Sequence, residues 1–71
     1  MTPTFEPTGS YSMLGNRVAW TGACPIDCAD HDSLVGMTVI VNGEERRVIG
    51  VETKKVRTPP KIGDPISLIF G

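Results

Sequence analysis

The 71-residue chain carries 7 Lys and Arg against 8 Asp and Glu, giving a net charge of −1 and a sequence pI near 5.6. That length holds one small domain, burying only ~60% of the surface its unfolded chain exposes, which argues against a deep catalytic cleft between two layers. With 39% hydrophobic and 21% charged residues the composition is globular; the charge balance argues against a dedicated nucleic-acid-binding protein, and no apolar run reaches the ~18 residues of a membrane span.

Residues 1–15 contain Pro3, Pro7, Gly9 and Gly15 among Thr and Ser. Pro fixes φ and removes a donor, so an extended segment without a helix is expected. Phe5, Tyr11, Met13 and Leu14 make it too apolar for a linker. It reads as an N-terminal arm lying across its own barrel or a neighbouring molecule, leaving residues 16–71 as the domain. The N-terminus lacks the basic head and apolar run of a secretion signal. A reducing compartment with free thiols is therefore expected.

Residues 17–21 read as a first strand, with Val18 and Trp20 on one face. Cys24, Cys28 and His31 follow in a loop with Asp27, Asp30 and Asp32. The Cys-x3-Cys-x2-His spacing offers zinc three ligands, with Asp30 or Asp32 as a fourth, but a closed structural site normally takes four Cys or His ligands. A disulfide would close a very short loop, worth roughly 2 kcal/mol in the chain-entropy model. The reading preferred here is that both cysteines pack a small satellite core, because Cys is among the most buried residue types. The three acids do not have the spacing of an EF-hand. Asp32 or Ser33 is expected to cap a single helical turn that Gly36 stops.

The sharpest local signal is Asn42-Gly43 between residues 37–41 and 44–51. Asn-Gly supplies the two positive φ angles of a tight hairpin turn. A two-residue turn fixes the register: Val41 opposite Glu44, Ile40 opposite Glu45, Val39 opposite Arg46, Thr38 opposite Arg47 and Met37 opposite Val48. Four consecutive charges then sit near the tip, and Val39, Ile40 and Val41 are expected to be half-covered in an isolated domain. Gly50 signals a bulge or a close backbone approach. Residues 54–61 place Lys54, Lys55, Arg57 and Lys61 around Pro59-Pro60, which predicts an exposed loop of polyproline character. Gly63-Asp64-Pro65 reads as a turn, and residues 66–70 as a final strand with Ile66, Leu68 and Phe70 on one face.

Four or five strands with short turns and no helical period predict an all-β fold. A small SH3-like barrel, or a strongly twisted antiparallel sheet, is the way so few strands enclose a core. The expected core is Val18, Trp20, Leu34, Met37, Val39, Val48, Val51, Ile66 and Leu68. So small a core barely offsets chain entropy, which favours an oligomeric or lattice partner.

Catalytic chemistry is thin. His31 is the single histidine, and its closeness in sequence to Cys24 and Cys28 makes neither a pocket nor an oxyanion hole. Gly50 and Gly63 are isolated, so no phosphate-binding loop is present. No catalytic, cofactor or metal residue is assigned, and a non-enzymatic protein is expected. Charge is uneven: residues 1–33 hold four acids against Arg17, and residues 34–71 hold six bases against four acids. Loop 54–61 could touch phosphate, but it has no interleaved aromatics to stack bases. Head-to-tail contact between acidic and basic regions of identical copies is a variant of the assembly reading.

The runs Leu34-Val35-Gly36, Val39-Ile40-Val41-Asn42-Gly43, Val48-Ile49-Gly50-Val51-Glu52 and Gly63-Asp64-Pro65-Ile66-Ser67-Leu68 resemble small uncharacterised proteins of tailed bacteriophages. The resemblance covers the second half of the chain and carries no functional residue. It implies a virion structural module with a small β-barrel. The marginal core, apolar extended arm and charged hairpin tip point to a capsid decoration, minor head or tail-associated component, made in the host cytoplasm. The partners expected are other virion proteins, such as major capsid or tail subunits, or further copies of itself; no membrane is expected, and protein is favoured over nucleic acid as the partner. The alternatives are a small adaptor using loop 54–61 to contact nucleic acid or protein, and a mini-domain stapled by zinc.

Overall fold

The computed structural model describes residues 2–53 and 57–71. Six strands follow in chain order: β1 (Thr4–Phe5), β2 (Pro7–Met13), β3 (Arg17–Ala23), β4 (Thr38–Val41), β5 (Glu44–Thr53) and β6 (Pro65–Phe70). The fold is all-β, with no helix among the described residues. The strands form one mixed sheet in the order β1-β4-β5-β6-β3-β2.

The β4–β5 hairpin has the register its turn dictates, with Val41 opposite Glu44, Ile40 opposite Glu45, Val39 opposite Arg46 and Thr38 opposite Arg47. Asn42 and Gly43 adopt φ of 51° and 83°, the left-handed values that a two-residue hairpin turn requires. The bulge at Gly50 is present as a register shift between Val48 and Gly50. It inserts Ile49 as an extra residue and bends β5. The first part of β5 pairs with β4, and the remainder with β6.

The N-terminal segment is extended, as its prolines require, and it forms two strands of the same sheet. β1 runs parallel to β4, pairing Thr4 with Ile40 and Phe5 with Val41. β2 runs antiparallel to β3. These strands raise the count from the expected four or five to six, and the β1–β4 pair makes the sheet mixed. Only Glu6 separates β1 from β2, yet the two lie at opposite ends of the strand order. The sheet therefore curls until its ends approach. No ladder joins β1 to β2 among the described residues, so the sheet stays open where a closed SH3-like barrel would be continuous. The radius of gyration is 11.1 Å, matching the ~11 Å of a compact chain of this length.

Phe5 is the largest fully buried side chain. Its ring meets Phe70 edge-on, with centroids 6.2 Å apart. It also presses on β3: a Cβ at Gly22 would lie 2.6 Å from the Glu6 carbonyl oxygen and 2.9 Å from Phe5 Cζ. Glycine at 22 is what lets the N-terminal strand approach so closely. Phe5 packs with Cys24, Cys28, Leu34, Val39, Val41, Val48, Ile66 and Leu68 to form the core.

Of the expected core, Leu34, Val39, Val48, Ile66 and Leu68 are buried, while Trp20, Met37 and Val51 pack against the cluster half-buried. Val18 is instead 40% exposed. The β3–β6 ladder begins at Ala19, so Val18 overhangs with only Ser12 of β2 across from it. Val39 and Val41 are buried rather than half-covered, because β1 lies along β4. On β6, Ser67 and Ile69 are buried as well as Ile66 and Leu68, as befits a strand paired on both sides.

Candidate functional site

Cys24 follows β3 directly, and Cys28 lies one short loop further on. A second segment holds their backbones. Cys24 N–H donates to the Asp64 carbonyl at 2.8 Å, Gly63 N–H donates to the Cys24 carbonyl at 3.1 Å, and Cys28 N–H donates to the Pro60 carbonyl at 2.9 Å. The loop after β3 and the loop before β6 are thereby laced together. Pro60 is fully buried at this seam, so the diproline segment is not the wholly exposed loop expected from its charge. Arg57 and Lys61 are exposed, and Lys54 and Lys55 lie outside the described residues.

Both thiols are free and buried, with Sγ atoms 3.9 Å apart. Cys24 Sγ donates to the Ile26 carbonyl at 3.0 Å. The Cys28 thiol is pushed up to about 11. Burial is the main cause, reinforced by the neighbouring Cys24 and by Asp30, while Lys61 pulls the other way. A raised thiol pKa is the reverse of what a nucleophilic cysteine needs. The pair belongs to the main core and not to a separate satellite.

The other candidates in this loop serve its folding. His31 is exposed. Asp30 Oδ1 accepts from Asp32 N–H at 2.9 Å and from Ser33 Oγ at 3.2 Å, and Ser33 Oγ accepts from Asp30 N–H at 3.0 Å. Asp30, not Asp32 or Ser33 alone, thus organises the turn. The single helical turn expected at residues 33–35 is a hydrogen-bonded turn: Val35 N–H donates to the Asp32 carbonyl at 3.0 Å, and Gly36, with φ of 88°, ends it. Asp27 Oδ1 accepts from Ile62 N–H at 3.0 Å. Among the described residues no three His, Cys, Asp or Glu side chains come together as a metal site. The two sulfurs belong to the core cluster, and the Asp27 and Asp30 carboxylates accept from groups of their own and the neighbouring loop.

Two surface features remain. At the β4–β5 tip Glu44, Glu45 and Arg47 are exposed, while Arg46 folds back with its guanidinium carbon 5.6 Å from the Phe70 ring centroid. That contact is a cation–π interaction. At the far end of the sheet, β2 is an edge strand with most of its residues exposed, and Tyr11 stays 45% exposed. The β2–β3 turn holds Leu14 at 97% exposure. Beside this edge lies an open groove of about 660 Å³, lined by Thr8, Tyr11, Thr21, Glu52, Pro65 and Ser67 among others. The sequence reading missed the groove because it gathers residues from β2, β3, β5 and β6.

No family model, no curated protein and no solved structure matches this chain.

Proposed function

We propose that the chain is a non-enzymatic structural module of a tailed-bacteriophage virion that docks on neighbouring protein subunits. The observation that supports this reading most is the β2 edge. A seven-residue strand stands at the end of the sheet with Tyr11 part-exposed, and its turn holds Leu14 out at 97% exposure. An edge strand offers unpaired backbone donors and acceptors that a neighbouring chain can continue. The docking element is narrower than the whole segment 1–15, since Phe5 is committed to the core. The virion setting comes from the resemblance of the second half of the chain to small phage proteins. A non-enzymatic role is consistent with buried thiols, an exposed lone histidine and the raised Cys28 thiol.

Size-exclusion chromatography with light scattering, on the chain alone and mixed with purified capsid and tail subunits, tests the reading. Co-elution with one subunit, or self-association, is expected. Leu14→Asp should weaken it by at least about tenfold, the scale of an interface anchor, while leaving the unfolding midpoint unchanged. A monomer that binds none of these subunits, or a Leu14→Asp variant that associates as well as the parent, contradicts it.

A further inference from the structure

We propose that Cys24 and Cys28 are a modification site, where a two-electron oxidation joins them in an intramolecular disulfide across the loop that follows β3. The sulfurs are already in contact at 3.9 Å. Hydrogen bonds to Asp64, Gly63 and Pro60 hold the two backbones in place, so the pair cannot drift apart while the chain is folded. Burial shields both sulfurs from the thiols of other chains, which favours a bond within the chain. Closing from 3.9 Å to the ~2.05 Å of a disulfide needs side-chain rotation and the loss of the Cys24 thiol's bond to the Ile26 carbonyl.

With a peroxide as oxidant the step balances. One thiolate sulfur attacks a peroxide oxygen, the O–O bond breaks, and the departing oxygen leaves as water after taking a proton. The sulfenic acid left behind is attacked by the second sulfur. The S–S bond forms, the S–O bond breaks, and a second water leaves with the second thiol's proton. Two thiols and one hydrogen peroxide become one disulfide and two waters. The raised Cys28 thiol, with Cys24, Asp30 and Lys61 as the groups acting on it, keeps the thiolate scarce at neutral pH. The reaction should be slow there and quicken as pH rises. The inference does not depend on the docking reading.

The test is intact-mass spectrometry of the folded full chain after hydrogen peroxide, with iodoacetamide to count remaining thiols. The expected product is a monomer that has lost two hydrogens and takes up no iodoacetamide. Dithiothreitol should restore both thiols. Its folding equilibrium should shift toward the native state by roughly thirty-fold for so short a loop, with a midpoint raised on the order of 10 °C. Cys28→Ser and Cys28→Ala should instead leave Cys24 alkylatable or carrying added oxygen. The proposal is overturned if the folded chain keeps two alkylatable thiols under peroxide that cross-links the urea-unfolded chain. It is equally overturned if the disulfide formed joins two chains.

Discussion

The β4–β5 hairpin and the N-terminal strand β1 are built by opposite logic. In the hairpin, a left-handed Asn42-Gly43 turn sets the register of every pair that follows. In β1 nothing local sets the partner, whereas β2 is tied to β3 by its own tight turn, with Gly15 and Asn16 at φ of 80° and 60°. β1 finds β4, more than thirty residues away. The difference is one of range: turn chemistry acts over four residues, whereas the place of Phe5 depends on a cavity made by most of the chain.

The sharpest way to break this comparison is Phe5→Ala. If the N-terminal strand fills the core, the variant should lose about 3–5 kcal/mol, the usual cost of truncating a buried Phe. For a domain of this size that approaches complete unfolding, readable by urea denaturation. A loose arm would lose almost nothing.

A smaller effect follows from pH. The Cys28 thiol is raised from 9.0 to about 11 in the folded chain. Between those values the unfolded chain binds fewer protons, so stability falls as pH rises. The stabilisation is complete below pH 9 and is lost as pH passes 11. Denaturation midpoints from pH 8 to 11 should therefore decline more in the parent than in Cys28→Ala. Equal slopes would remove Cys28 from the account.

Gly22→Ala probes the contact between the N-terminal strand and β3. Its Cβ would collide with the Glu6 carbonyl and the Phe5 ring, and such overpacking costs about 1–3 kcal/mol. The smallest effect belongs to the hairpin: Gly43→Ala forces a side chain into φ of 83°, worth about 1–2 kcal/mol. Comparing these two variants in one denaturation series sharpens the contrast, because only Gly22→Ala should also loosen β1.

The same contrast explains what was legible. The all-β class, the hairpin register, the Gly50 bulge and the apolar face of β6 each follow from residues within a few positions of one another. The exposure of Val18 is not legible in the sequence, because alternation says which residues share a face but not where a neighbouring strand stops. Phe5, Val41 and Pro60 were missed as core for a related reason: each is buried by a segment distant in sequence. At the candidate sites, two cysteines in one loop were visible. Their 3.9 Å approach depends on the loop before β6 pinning their backbones, and no local spacing encodes that. The groove beside β2 draws on four strands and had no local signature.

Amide hydrogen exchange at Ile40 tests most directly whether the first residues complete the fold. Its N–H donates to the Pro3 carbonyl at 2.9 Å, a bond that exists only if β1 lies on β4. The account predicts exchange of Ile40 nearly as slow as that of the most protected amides, and rapid exchange once residues 1–6 are removed. Rapid exchange at Ile40 in the intact chain, beside protected β5 and β6 amides, would contradict it.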